Sequence, residues 1–219
     1  MEGIDLVEQL VGRFKNFEPI ELTQEEEMAV LQVISEKNMI DHGSSRIVYG
    51  FGDWVVKVAL STGGMNQNAI EIAVYNNYGQ SGRFAHIYAY GTMITIMERL
   101  EDCEYYDPFD FYYDEEDDED KAFYETISLL IADVNDFTCY EGGDNGQIGF
   151  SEKDNCYKVY DYGYSLDYDR KEIVDELECW IHVINPLDYV RDVVSGNSVV
   201  ISQEDFKEMW RDHCEREED

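Results

Sequence analysis

The 219-residue chain has no run of 18 apolar residues, and this excludes a membrane-spanning helix. Its first ten residues, MEGIDLVEQL, lack the basic stretch followed by an apolar one that marks a secretory leader. No CxxC pair occurs, and the five cysteines, at 103, 139, 156, 179 and 214, are odd in number and widely spaced. Neither a zinc site nor a disulfide framework follows from such spacing, and reduced thiols in a cytoplasmic protein are the simplest reading. Cys179 and His182 stand three apart on an expected helix but have no further ligands in view, so they read as a buried structural pair. Positive charge is also scarce: 16 Lys and Arg face 49 Asp and Glu, a formal net charge of −33. A surface of that sign repels nucleic acid and anionic membrane, so direct binding of either is not expected. It suits a basic partner, including a nucleic-acid-binding enzyme, or serves solubility alone; net charge bears on association and not on fold.

What is present supports a globular domain. The chain is 44% hydrophobic and 14% aromatic, enough for a core and too apolar for a disordered segment. Residues 1–40 read as helical. Ile4, Val7, Leu10, Val11 and Phe14 recur at helical spacing, and Thr23 with Glu26 forms a capping box ahead of the apolar Met28, Val30, Leu31, Val33 and Ile34. Two β-rich runs follow, Arg46–Tyr49 and Trp54–Leu60, around the turn residues Gly50-Phe51-Gly52-Asp53. A helix is expected over 66–78, and strands over 85–90 and 92–97 around Gly91. Residues 101–120 hold twelve acids, six aromatic residues and no Lys or Arg, so they read as an exposed, mobile linker. A helix over 123–137, a glycine-rich loop over 141–149 and a short strand ending in Asp161-Tyr162-Gly163 come next. From Lys171 onward the pattern is mostly helical, with turns near Asn185-Pro186 and Ser195-Gly196-Asn197.

The chemistry lies in the order of these parts. A polyphosphate needs backbone without bulky side chains beside it, and His42-Gly43-Ser44-Ser45-Arg46 offers that at the start of the hairpin. It needs a cation, and Lys57 in VVKVA sits on a strand whose apolar neighbours bury its stem. A buried lysine needs a partner to keep its proton, and Glu71 on the following helix supplies one. A magnesium ion needs a fixed carboxylate, which Asp161 provides at a strand end.

In this order the segment 41–164 resembles the protein-kinase-like superfamily, and within it the small divergent kinases of bacteriophages that act on host proteins. The resemblance implies an α+β, two-lobed kinase-like fold: an N-terminal helical segment (1–40), a small β-rich N-lobe (41–100), an acidic linker (101–121) and a reduced helical C-lobe (122–219). It gives Gly43, Ser44 and Ser45 the glycine-rich-loop role, Lys57 and Glu71 the nucleotide-positioning ion pair, Met97–Leu100 the hinge and Asp161 the metal-binding place of the Asp-Phe-Gly motif. It implies ATP and Mg2+ as cofactors. The catalytic loop departs from the pattern. Gln147 overlies the metal-binding asparagine and Gly142 the catalytic aspartate, and Gly142 cannot accept a proton. Asp144 is the nearest substitute base. Three functions follow: a nucleotide-binding pseudokinase acting through a basic partner, an active divergent serine/threonine kinase with Asp144 as base, or an acidic mimic that occupies a nucleic-acid-binding protein.

Overall fold

A computed structural model of the chain describes residues 3–42, 45–102, 148–163, 186–198 and 202. Over these residues the protein is mixed α+β, with a mostly sheet N-terminal region and a few helices. Helix α1 (Gly3–Val11) leads to a short strand β1 (Ile20–Glu21) and helix α2 (Gln24–Val33). Strands β2 (Met39–His42), β3 (Arg46–Phe51) and β4 (Trp54–Ala59) follow, then helix α3 (Thr62–Tyr78), β5 (Ile87–Tyr90) and β6 (Ile94–Glu98). Strands β7 (Glu101–Asp102), β8 (Ile148–Ser151) and β9 (Cys156–Val159) form a second, three-stranded sheet, and helix α4 spans Pro186–Val194. The first sheet runs β1-β5-β6-β4-β3-β2, antiparallel except where β1 adds parallel to β5.

Strand alternation divides the core in two. Ile47, Tyr49 and Phe51 of β3, Val56 and Val58 of β4, and Ile94 and Ile96 of β6 form one layer with Val7 and Leu10 of α1, Val30 and Leu31 of α2, and Val190 and Val194 of α4. The opposite face carries Val55 and Met97, packed with Val74 and Tyr75 of α3, Phe84, Val159 and Tyr162. The register of β5 against β6 shifts between Ile87 and Ala89, and this irregularity lets Ile87 join the second layer while Ala89 joins the first.

Helix α2 begins at the expected capping box: the Thr23 side chain accepts from the Glu26 backbone N–H, and the Glu26 carboxylate accepts from the Thr23 N–H. The next residue, Glu27, is 2% exposed and accepts hydrogen bonds from the backbone N–H of Met93 (2.6 Å) and Ile94 (3.2 Å). Burial pushes its carboxyl upward while those N–H groups pull it back. The fit is close, since a Cβ on Gly91 would lie 2.6 Å from the Glu27 carboxylate. Glu27→Ala removes the acceptor and leaves buried N–H groups unpaired, so we expect a loss of about 1–3 kcal/mol in urea unfolding, with Glu27→Gln milder. An Ala variant as stable as the parent would mean that water satisfies this hairpin.

Helix α4 falls within the span expected for a helical lobe, and it packs on α2. The Arg191 guanidinium donates to Leu31 O from Nε (3.2 Å) and Nη2 (2.7 Å), and Gln24 Nε2 donates to Val194 O. Residues 39–42, at the border of the expected helical segment, are the edge strand β2, and 148–151, at the end of the expected glycine-rich loop, are β8. The acidic linker after Asp102, the helix expected over 123–137, and Cys179 with His182 lie outside the described residues. No described helix is long and apolar enough to cross a membrane.

Candidate functional site

Four charged side chains converge between β3, β4, α3 and the end of β9. The β3–β4 hairpin closes through the two-residue turn Gly52-Asp53, with Gly52 at φ +63°, so that Phe51 pairs with Trp54, Val48 with Lys57 and Arg46 with Ala59. Residues 46, 48, 55 and 57 therefore share the face that α3 covers. Lys57 is 4% exposed and Arg46 5%. Helix α3 meets them with its polar side, Gln67, Asn68 and Glu71, while Val74 and Tyr75 continue the same stripe into the apolar core.

Lys57 Nζ donates to Glu71 Oε1 at 2.7 Å and to the Tyr160 carbonyl at 2.7 Å, and lies 3.9 Å from Asp161 Oδ1. Arg46 Nη1 lies 2.9 Å from Glu71 Oε2 and donates to Asn68 Oδ1 at 3.2 Å; Arg46 Nη2 donates to Asp161 Oδ1 at 2.7 Å. Glu71 is fully buried, and its Oε2 is held by the charge of Arg46 without a well-aligned hydrogen bond. Two cations thus balance two carboxylates. Burial alone would raise the Asp161 carboxyl, but the neighbouring Lys57 and Arg46 charges outweigh it and hold the group down to about 2. Asp161 is 36% accessible, so the quartet opens to its surroundings at this carboxylate.

The segment following Asp161 is fixed by packing. Tyr162 is fully buried, with its ring 5.0 Å from Phe84 in an edge-on contact and its hydroxyl donating to Ala85 O at 3.4 Å. Gly163 lies so close to α3 that a Cβ would come within 2.8 Å of Gln67 Cβ and 3.3 Å of Arg46 Nη2. Ser45 is buried as well; its hydroxyl donates to Gln67 Oε1 at 2.7 Å and its carbonyl accepts from Leu60 N–H. Its hydroxyl thus ties the end of the expected glycine-rich loop to α3. Lys57, Glu71 and Asp161 are therefore brought together. Gly43, Ser44, Gly142, Asp144 and Gln147 lie outside the described residues. Arg46, expected at the junction of the polyphosphate loop and the first hairpin strand, begins β3, and the turn at Gly52-Asp53 puts it on the face of Lys57.

At Asp161 Oδ1 a divalent ion meets a place already held by a cation. Magnesium binds carboxylate oxygens at about 2.0–2.1 Å, and Oδ1 already accepts from Arg46 with Lys57 nearby. Like charges about 4 Å apart repel by about 4 kcal/mol per unit charge at an effective dielectric of about 20. Among the described residues one other group has metal-ligand composition, His86, Glu98 and Asp154. Its cation is already in place: Lys158, fully buried, donates to Glu98 Oε2 at 2.8 Å and to Asp154 Oδ2.

The sequence matches no family model, and neither a curated protein nor a solved structure matches the chain.

Proposed function

We propose that the protein is a kinase-like nucleotide-binding protein with a degenerate catalytic loop, which acts by binding a basic partner. The observation that carries this reading is the buried Lys57–Glu71 pair lying beside Asp161. In protein kinases the strand lysine and helix glutamate must pair, and the aspartate of the Asp-Phe-Gly motif must face them, before nucleotide is held productively. The sheet order supports it too. Without β1, the order β2-β3-β4-β6-β5 builds a five-stranded antiparallel sheet whose central strand carries Lys57, with α3 against its face. In this reading Lys57 and Arg46 provide two positive charges beside the accessible carboxylate of Asp161, where an anionic polyphosphate competes for their hydrogen bonds. ATP supplies a transferable phosphoryl group when bound; with Gly142 overlying the catalytic base, binding is the activity proposed, and the excess of acids over bases directs the protein to a basic partner.

The test is thermal unfolding with ATP or ADP, each with and without Mg2+. A ligand at 100 times its Kd adds about 2.7 kcal/mol of stability, which for a chain of this size raises Tm by roughly 5–10 °C. No rise under any of these conditions would refute nucleotide binding. Transfer of labelled phosphate to any protein would instead favour an active kinase.

A further inference from the structure

We propose that Arg46 takes the place of a divalent cation at Asp161, so that this site binds a nucleoside polyphosphate without a metal ion. The proposal rests on the nucleotide-binding reading above. Its own basis is the position of one guanidinium. Arg46 Nη2 lies 2.7 Å from Asp161 Oδ1, the carboxylate that a metal would use. Its other terminal nitrogen is held by Glu71 and Asn68 from α3, so the side chain is fixed at both ends of the fork. The backbone holds it as well. Arg46 begins β3, opposite Ala59, and the preceding residue is pinned through the Ser45 hydroxyl on Gln67 and the Ser45 carbonyl on Leu60 N–H. Gly163 approaches on the other side, where a Cβ would lie 3.3 Å from Nη2. A guanidinium keeps its charge at any ordinary pH. Asp161 therefore has a permanent counter-ion built into the chain, and Glu71 has two, Arg46 and Lys57. An added ion at Asp161 Oδ1 must either displace Arg46 or sit against it.

Arg46→Ala removes one of the two counter-ions of Glu71 and Arg46→Lys retains one, so circular dichroism first establishes that each variant is folded. ATP affinity is measured by calorimetry in EDTA and in excess Mg2+ for the parent, Arg46→Ala and Arg46→Lys. The parent is expected to bind with little difference between the two conditions. Arg46→Ala is expected to lose about tenfold or more in EDTA and to regain affinity with Mg2+, as the ion fills the opened place. Arg46→Lys, which keeps a cation, should remain metal-independent. Parent binding about tenfold tighter in Mg2+ than in EDTA would overturn the proposal.

A second measurement separates it from the nucleotide reading. Mn2+ alone is added to isotope-labelled protein, and paramagnetic broadening of the Gly163 amide is followed. The parent should show no selective broadening there. Arg46→Ala should show it, and Asp161→Asn in that background should remove it. If no nucleotide binds but this pattern holds, the nucleotide reading fails and the counter-ion role of Arg46 stands. Selective broadening in the parent that Asp161→Asn abolishes, or none in Arg46→Ala, overturns that role.

Discussion

Replacing Lys57 with Met is expected to lower the unfolding free energy by about 3 kcal/mol, at the lower end of the 3–5 kcal/mol typical when one partner of a buried ion pair is removed. The lower end applies because Glu71 keeps a second cation. Lys57 engages Oε1 and Arg46 faces Oε2, so the variant leaves a fully buried carboxylate half compensated. The Tyr160 carbonyl loses its donor in the same change. For a chain of this size the loss corresponds to roughly 6–12 °C in Tm. Removing both charges, in Lys57→Met with Glu71→Met, should cost less than the two single changes added together, since the uncompensated carboxylate goes with its partner. The same single variant should abolish the Tm response to ATP. A Lys57→Met protein within about 0.5 kcal/mol of the parent, and still responsive to nucleotide, would make Lys57 an ordinary strand residue.

What the sequence disclosed was mostly local. The capping box at Thr23 and Glu26, the two hairpin strands and the helix bearing Glu71 each follow from signals within a few residues of themselves. The Lys57–Glu71 pair was legible for a related reason: a strand and the helix following it lie adjacent, and a lysine among Val residues needs a carboxylate. Other features depend on partners far along the chain. Glu27 breaks an apolar stripe, but the hairpin it serves is 66 residues away. Strand β1 is two residues long and exists only as an addition to β5. Met39 and Ile40 are 38% and 48% exposed on the edge strand β2, so their apolar character gave no guide to strand or helix. The face that Arg46 takes depends on register. A turn read as Gly50–Asp53 leaves the strand pairing undetermined, whereas a two-residue turn at Gly52-Asp53 fixes which side chains share a face. The packing of α4 on α2 joins residues 160 positions apart, which local periodicity does not encode.

The second large effect is expected at Lys158, which positions Asp161 indirectly. Lys158 lies on β9 and Asp154 in the β8–β9 turn, while Glu98 ends β6, so their ion pairs tie the small sheet to the large one two residues before the Tyr160 carbonyl that Lys57 grips. Ser151 Oγ donates to Glu98 Oε1 at 2.6 Å and the His86 backbone N–H donates to Oε2 at 3.1 Å. Lys158→Met leaves Glu98 buried without its cation and should cost about 3–5 kcal/mol. Its distinguishing mark is pH dependence through His86. That ring takes the Tyr75 hydroxyl at Nδ1 (2.7 Å) and reaches Asp154 from Nε2 (3.0 Å), the tautomer that a carboxylate acceptor requires. Burial, and then the charge of Lys158, lower its pKa from the ordinary 6.5. The folded protein therefore resists protonation that the unfolded chain accepts, so this contribution to stability is full above pH 6.5 and declines as pH falls below it toward the folded pKa. Without Lys158, Glu98 and Asp154 favour the imidazolium, which can replace the lost cation. The parent should lose stability between about pH 7 and about pH 5.5, while Lys158→Met should lose less or gain. Urea unfolding at the two pH values and the His86 ring resonances report this directly. Parallel pH slopes in the two proteins would show that Lys158 acts on Glu98 alone, with His86 outside the network that seats Asp161.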